Sequence, residues 1–176
     1  MAPASPLHRR VGELLTEWCA PAHLVLDTAC GGDHRVSLFM GDQKGLENKV
    51  CDVDALIVRD RQVRLIVEIE ESNIKPTQVC GKFLTLALAG FYSYRDRKCA
   101  LHEVTFVQVL SSAALDTERT RKRLQVEQIA GRLQEFCRAG ANPISEYMLV
   151  WDVDLDREAD RFRRAVQAVG ADTDPA

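Results

Sequence analysis

The segment LIVEIEES, residues 65–72, decides how the rest of the chain is interpreted. Its first three residues are aliphatic, and the acids Glu68, Glu70 and Glu71 follow almost at once. Side chains of a strand alternate between its two faces, so Glu68 and Glu70 point the same way. The aliphatic run does not alternate with polar residues, which predicts a strand buried on both faces. Carboxylates on such a strand need a physical reason.

The preceding strand also carries acids. The segment DVDALIV, residues 52–58, contains Asp52 and Asp54, and the short turn RDRQ joins it to a partner strand at 63–70. An antiparallel hairpin through this turn brings Asp54 level with residue 67 or 68. Unpaired carboxylates that meet at a half-buried site repel one another, and a hard divalent cation such as Mg²⁺ relieves that repulsion. Asp54 is favoured over Asp52 because the aliphatic run begins directly after it.

The remaining elements follow from hydrophobic periodicity and turn residues. The helix that follows the hairpin is apolar nearly all round, which predicts a buried helix, and Gln78 and Lys82 lie on its polar stripe. We expect one mixed α/β domain over residues 1–176, with a disordered tail at about 171–176. The predicted helices are 6–19, 76–92, 116–138 and 156–169, and the further strands are 23–30, 35–40, 104–110 and 147–153.

Composition narrows the class of protein. A chain of 176 residues with a net charge of −3 is large enough for a real core and has no overall attraction for nucleic acid. No signal peptide or membrane span is evident, and the six scattered cysteines lack zinc-site spacing, so we expect a cytoplasmic protein. No nucleotide-binding motif occurs. The histidines share no motif, which argues against an imidazole mechanism; they are His8, His23, His34 and His102.

The acid that opens an aliphatic strand, followed by a hairpin into LIVEIE, resembles the PD-(D/E)XK nuclease superfamily. The order of one helix, three strands, one helix and one strand is similar to that family's restriction-endonuclease-like core, a central mixed sheet flanked by helices. The resemblance covers roughly residues 7–112. It implies that Asp54 and Glu68 bind Mg²⁺ or Mn²⁺ and that the chain is a metal-dependent deoxyribonuclease.

The chain departs from the family pattern at its third position. Glu70 stands where the family usually has lysine, and some restriction enzymes resemble it in carrying E-x-E there. The resemblance implies that Glu70 is a further metal ligand or a water-orienting carboxylate. In other family members the following helix supplies the lysine, and Lys82 fits that variant, with Lys75 as a second candidate. On the first helix Glu17 is a weaker candidate for an extra ligand.

Candidate nucleic-acid contacts come from the polar stripe and from a basic cluster. Arginine forks suit phosphate, so the cluster RTRKR is predicted to contact DNA together with Gln78. The chain has little room for a separate recognition domain, so specific cutting would require a homodimer, a partner subunit or recognition of DNA structure. The basic residues concerned are Arg119, Arg121, Lys122 and Arg123.

Two other interpretations remain open at this point. The missing lysine and the acidic net charge also suit a nuclease-fold module that no longer cuts and serves as a nucleic-acid-binding or regulatory subunit. A third interpretation is an unrelated α/β protein whose acids face solvent.

Overall fold

The computed structural model describes residues 6–72, 74–94, 97–114, 119–140 and 142–170. For residues 94, 114, 119, 120 and 156–159 it describes the backbone only. The expected tail at 171–176 and the start of the third predicted helix, 116–118, lie outside these ranges. Within them the chain forms four α-helices: α1 (Pro6–Trp18), α2 (Pro76–Ala87), α3 (Arg119–Arg138) and α4 (Leu155–Gly170).

The strands of the described ranges form one mixed sheet, which confirms the expectation of a mixed α/β domain with helices on its faces. Its order is β1-β4-β5-β7-β6-β2-β3, and β8 pairs with β7. β5 runs parallel to β7, and β7 runs parallel to β8. The strands are β1 (Leu24–Leu26), β2 (Val36–Phe39), β3 (Lys49–Val53), β4 (Ala55–Arg59), β5 (Gln62–Glu70), β6 (Phe91–Tyr94), β7 (Arg97–Leu110) and β8 (Ile144–Trp151).

The hairpin of β4 and β5 is antiparallel, as the sequence predicts. Ala55, the first residue of β4, pairs with Val67 of β5. Because the strands are antiparallel, Asp54, just before β4, comes level with Glu68. The two loop residues between the strands have positive φ, as in the tight turns that match strand twist. The register of the two acids is therefore fixed by a short loop and by apolar pairs.

The predicted strand 52–58 is wrong as a single strand, because the ladder breaks at Asp54. β3 pairs with β2 at one end of the sheet, and β4 pairs with β1 and β5 near the other end. One residue thus carries the chain from one end of the sheet to the other. This connection requires the sheet to curl until its two ends come close together.

The predicted helix 76–92 is too long, and the predicted strand 104–110 is too short. The helix ends at Ala87, because Phe91–Tyr94 instead pair with β2 and with the start of β7. These residues are rich in aromatic side chains, which favour a strand. β7 continues upstream to Arg97 through an irregularity in its pairing, where Glu103 has a φ of 51°.

The core has two layers, one on each face of the sheet. α1 and α4 cover one face, where Leu15 and Phe162 meet Leu65. α2 and α3 cover the other face, where Phe83 meets Phe106. α2 buries one face only, because Leu84 is 56 % exposed and Leu88, just past its end, 69 % exposed. The predicted helix is therefore buried on one face, and its nearly all-round apolar composition overstated its burial.

The predicted strand 23–30 is also shorter than expected and ends at Leu26. The carboxylate of Asp27 accepts hydrogen bonds from the backbone N–H groups of Ala29 (2.9 Å) and Cys30 (3.0 Å), which closes a turn in place of further strand. None of the described helices has the length and apolar character needed to cross a membrane.

We expect the close approach of α1 to this turn to make Gly12 sensitive to substitution. A Cβ at Gly12 would lie 2.1 Å from the carbonyl oxygen of Cys30, whereas a Cβ at Gly131 in α3 meets nothing within 4 Å. Gly12→Ala should lower the free energy of unfolding by about 2–3 kcal/mol through overpacking. Gly131→Ala should raise it by about 0.5–1 kcal/mol through helix propensity. Urea denaturation of both variants tests this, and equal effects would contradict the packing described.

Candidate functional site

Asp54 lies at the corner between β3 and β4 and is held there by three backbone contacts. Its N–H donates to the carbonyl of Val67 (3.2 Å), and its carbonyl accepts from the N–H of Asp27 (2.9 Å). Its carboxylate Oδ2 accepts from the N–H of Ile69 at 2.7 Å. The carboxylate is therefore fixed beside the acidic end of β5.

Glu68 is the buried acid of the site, with only 2 % of its surface exposed. Its Oε2 accepts a hydrogen bond from Nζ of Lys82 at 2.9 Å. Its Oε1 is buried and has no hydrogen-bond partner in the described part of the chain. Burial raises the pKa of Glu68 to about 8, and the ammonium of Lys82 opposes that rise. A buried carboxyl group with one oxygen lacking a hydrogen bond lowers the free energy of unfolding, and native proteins keep such groups mainly where they bind water, an ion or a substrate.

Lys82 reaches the two acids of the E-x-E segment from α2. Nζ lies 2.9 Å from Glu68 and 3.6 Å from Glu70. Val79 and Phe83 of the same helix are buried in the apolar core, so packing fixes the turns on either side of Lys82. Burial lowers the pKa of Lys82, but the charges of Glu68 and Glu70 outweigh it, so the pKa is raised and the side chain stays cationic.

The second candidate lysine occupies a different position. Lys75 precedes the first turn of α2, where it is exposed, and its backbone N–H donates to Oε1 of Gln78 at 2.9 Å. Gln78 is exposed as well and serves as a cap for the helix. The structure thus brings together Lys82, Glu68 and Glu70, and it leaves Lys75 at the rim. Glu17, on the last turn of α1, is exposed.

His8 is a member of the site that sequence reasoning missed. Its Nε2 lies 3.5 Å from Oδ1 of Asp54, and its Nδ1 lies 3.0 Å from Oε1 of Glu71. Its pKa rises to about 9, chiefly through the hydrogen bond with Asp54, although burial opposes the rise. The signal available in the sequence was its position beside the apolar stripe of α1, one turn from Gly12.

Asp27 and Cys30 form the third side of the site, and sequence reasoning missed them because it placed both residues inside a strand. One potential ligand atom each of Asp27, Cys30 and Asp54 lie within 4.8 Å of one another. Burial raises the pKa of Asp27 and of Cys30, and the charge of Asp54 adds to both rises. Acidic groups are therefore concentrated around Asp54, and burial together with the charge of Asp54 opposes the ionisation of Asp27 and Cys30.

A buried polar neighbour completes the row across the sheet. Gln108 in β7 pairs in register with Glu68 and is fully buried. The hydroxyl of Tyr147 donates to its Oε1 at 2.7 Å, but its Nε2 has no partner among the described residues. An unpartnered donor and an unpartnered acceptor thus lie on adjacent strands, which is the kind of place where native proteins hold water or ions.

The charges of the site do not balance. Lys82 contacts two carboxylates, and protonated His8 contacts two others. Two basic side chains therefore face five carboxyl groups, one of which, Glu68, keeps its proton up to about pH 8 in the metal-free protein. These carboxylates are Asp27, Asp54, Glu68, Glu70 and Glu71.

The basic cluster lies at the start of α3. Val126, about two turns into the helix, belongs to the same apolar cluster as Leu110 at the end of β7, so the start of α3 lies towards the sheet edge where β5 also ends. Arg121 is exposed and Lys122 is partly buried. Arg123 instead donates to Glu127 (2.8 Å) and to Asp154 (2.6 Å). The side chain of Arg119 lies outside the described part, so phosphate contact by these residues stays a prediction.

Comparisons with protein-family models, with curated proteins and with solved structures find no match for this chain. A functional assignment therefore depends on the geometry of the site itself.

We expect Glu68 to make the stability of the metal-free protein fall as pH rises. Between pH 4.5 and about 8 the folded protein keeps a proton on Glu68 that the unfolded chain has lost, so the free energy of unfolding decreases with pH. Between pH 5 and 6.5, Glu68→Gln should flatten this slope by up to about 1 kcal/mol per pH unit. Urea denaturation in chelator measures it, with the exposed Glu13→Gln as control. An unchanged slope in Glu68→Gln would contradict a buried acid.

The pairing of His8 with Asp54 and Glu71 makes stability depend on pH in a second range. Because its folded pKa of about 9 exceeds the ordinary 6.5, its stabilising contribution is fully present below pH 6.5 and is lost as pH rises through about 9. His8→Gln should cost on the order of 2 kcal/mol at pH 6 and much less at pH 9.5. Denaturation at both pH values tests this, with the exposed His102→Gln as control. A cost that does not depend on pH would mean that His8 acts through packing alone.

Proposed function

We propose that the protein is a divalent-metal-dependent endonuclease that hydrolyses DNA phosphodiester bonds on a restriction-endonuclease-like core. The observation that supports this most directly is the position of Lys82. A lysine from the helix after the hairpin contacts both acids of the E-x-E segment, Glu68 and Glu70, next to the corner acid Asp54. This is the arrangement that the PD-(D/E)XK resemblance implies when the strand lysine is replaced.

The residue types suit a cation with oxygen ligands, but among the described residues the ligand atoms that lie within 4.8 Å of one another are those of Asp27, Cys30 and Asp54, without Glu68 or Glu70. Glu68 offers a buried oxygen without a partner, and Asp54 lies level with it in the hairpin. Glu70 is half-buried on the same side of β5 and is reached by the same lysine. Carboxylates of this kind suit Mg²⁺ or Mn²⁺. When bound, such an ion lowers the pKa of a bound water and stabilises charge at the phosphorus.

Each residue has a role in this proposal. Asp54 and Glu68 hold the cation, and their fixed backbone positions preorganise the site. Lys82 pairs with Glu68 and Glu70 in the absence of metal and contacts the scissile phosphate when substrate is bound. Glu70 accepts a hydrogen bond from the attacking water and orients it. Because Lys82 contacts both Glu68 and Glu70, it can release Glu68 to the cation and stay paired with Glu70.

The DNA backbone would run along the edge of the sheet where β5 and β7 end. The exposed Arg121 lies at that edge, near the start of α3, and offers a planar fork for phosphate. The net charge of −3 means that affinity must come from such local clusters. A second copy of the chain or a partner subunit would supply target recognition.

One observation favours a second candidate function. The ion pair of Lys82 with Glu68 already neutralises the buried acid without a metal. A nuclease-fold subunit that binds nucleic acid or regulates a partner, without cleaving, would need nothing more. The two candidates differ in whether metal binding leads to cleavage.

We expect the purified protein to nick supercoiled plasmid or cut branched DNA in Mg²⁺ or Mn²⁺, and to be inactive in chelator. Asp54→Asn and Glu68→Gln should each lower the cleavage rate by at least about 100-fold, because each removes a charged ligand. Lys82→Met should lower it similarly, whereas Lys75→Met and the exposed Lys98→Met should not. Gel assays under single-turnover conditions measure these rates, with circular dichroism to verify folding.

Three outcomes would change the proposal. Equal cleavage by wild type and by Asp54→Asn would contradict the assignment of Asp54 as a metal ligand and so the proposed active site. Loss of cleavage in Lys75→Met, with Lys82→Met active, would identify Lys75 as the functional lysine. DNA binding without cleavage in either metal would favour the regulatory subunit. Glu70→Lys tests coupling, since it restores the usual motif and should reduce the effect of Lys82→Met.

A further inference from the structure

Gln108 is a buried polar residue to which the mechanism above gives no role. Across the described ranges the buried polar or charged residues are Glu68, Gln108 and Ser111. Two of these three, Glu68 in β5 and Gln108 in β7, are in register on neighbouring strands. In the same ranges four buried side-chain nitrogen or oxygen atoms lack a hydrogen-bond partner, and Oε1 of Glu68 and Nε2 of Gln108 are two of them. An acceptor and a donor that both lack a partner thus belong to neighbouring residues.

The two side chains lie on the same face of the sheet. Ile66 and Phe106 are in register on β5 and β7, and both belong to the apolar layer that α2 and α3 cover. Glu68 and Gln108 lie two residues further along their strands, so they point to the same face. Neighbouring strands are about 4.8 Å apart, which makes the carboxyl group and the carboxamide direct neighbours in this layer.

Tyr147 holds the carboxamide of Gln108 from the other side. It belongs to β8, which pairs with the edge of β7 opposite to β5. Its hydroxyl donates to Oε1 of Gln108 at 2.7 Å, and its ring packs edge-on against the rings of Phe83 and Phe106. The oxygen and nitrogen of a carboxamide branch from one carbon, so an oxygen held towards β8 turns Nε2 towards β5 and Glu68.

Packing alone does not account for a glutamine at this position. An apolar side chain of similar volume would fill the fully buried space of Gln108 without leaving a donor unsatisfied, and phenylalanine would serve in place of Tyr147. The polar pair lowers the stability of the core and lies beside the buried acid of the site. Partners of this kind, placed behind a metal ligand, fix the orientation of that ligand and raise metal affinity.

We propose that Gln108 is a positioning residue for Glu68, with Nε2 donating a hydrogen bond to Oε1 of Glu68 when Lys82 releases Oε2 to a divalent cation. Lys82 donates to Oε2 in the metal-free protein. A carboxylate oxygen has two lone pairs, so the hydrogen bond from Gln108 leaves Oε1 able to face the cation as well. Tyr147 orients the carboxamide. The inference rests on the proposed function, because it takes Glu68 as a metal ligand.

The Mn²⁺ affinity of the purified full chain, measured without DNA by isothermal titration calorimetry, tests this role. Gln108→Met keeps the volume of the side chain and removes the donor, so the Kd for Mn²⁺ should rise about 10- to 100-fold. Tyr147→Phe frees the carboxamide and should cause a smaller rise. The matched control is Gln134→Met, because Gln134 donates to the backbone carbonyl of Tyr147 at 3.1 Å from α3. It should bind Mn²⁺ as wild type does.

A second readout separates positioning from a general loss of structure. Saturating Mn²⁺ should restore most of the single-turnover cleavage rate of Gln108→Met, because the substitution weakens metal binding and leaves every ligand in place. Urea denaturation in chelator should show that the variant is folded. If Gln108→Met does not fold, the double variant Gln108→Leu/Tyr147→Phe removes both polar groups together, and it must show the same loss of affinity.

The failure of this inference differs from the failure of the nuclease. Unchanged Mn²⁺ affinity in Gln108→Met, or an equal loss in Gln134→Met, overturns the positioning role and leaves metal-dependent cleavage by wild type untouched. A wild type that neither binds Mn²⁺ nor cleaves DNA overturns both. Weaker Mn²⁺ binding by Gln108→Met, in a protein whose wild type binds the ion without cleaving, supports the positioning role and favours the regulatory subunit.

Discussion

The buried carboxylate of Glu68 is the constraint on which the arrangement of the site depends. A carboxyl group with 2 % exposure can ionise only with a cation close to it, and Lys82 on α2, another element of the fold, lies 2.9 Å away. Phe83 anchors the same helix in the apolar layer beneath. The helix is thus positioned by hydrophobic packing and oriented by an ion pair, and both conditions must hold together for the site to exist.

Asp54 combines a structural and a chemical role. Its backbone is hydrogen-bonded to β5 and to the turn after β1, and its carboxylate accepts a hydrogen bond from the N–H of Ile69. The curl of the sheet also turns at this residue, because β3 and β4 belong to opposite ends of the strand order. A ligand on such a rigid corner has little freedom to lose when it binds a cation, which is what a preorganised site requires. Because Asp54 also has a structural role, Asp54→Asn, which keeps the shape of the side chain and removes its charge, is the substitution that tests its chemical role.

The concentration of acids around Asp54 opposes the stability of the metal-free protein. The pKa of Glu68 rises to about 8, and the pKa of Asp27 and the thiol pKa of Cys30 are raised as well, so the folded state resists charging these groups. A side-chain arrangement that serves folding alone would place apolar residues there. Stability given up at one cluster of polar groups is typical of sites that bind something. The ion pair of Lys82 limits this cost without removing it, and the divalent cation of the proposed function would reduce it further.

The sequence alone determined the hairpin of β4 and β5 and the level position of Asp54 and Glu68, because the apolar pattern and the short turn are local signals. It also gave Lys82 as one of two candidate lysines, since helical spacing places it on a polar stripe. The tertiary structure alone decided which lysine reaches the acids, because the docking angle of α2 depends on packing against distant strands. It also brought in His8, Asp27 and Cys30, whose places follow from the close approach of α1 to the turn after β1. The break at Asp54 and the strand Phe91–Tyr94 likewise come from pairing between segments far apart in sequence, which no local pattern records.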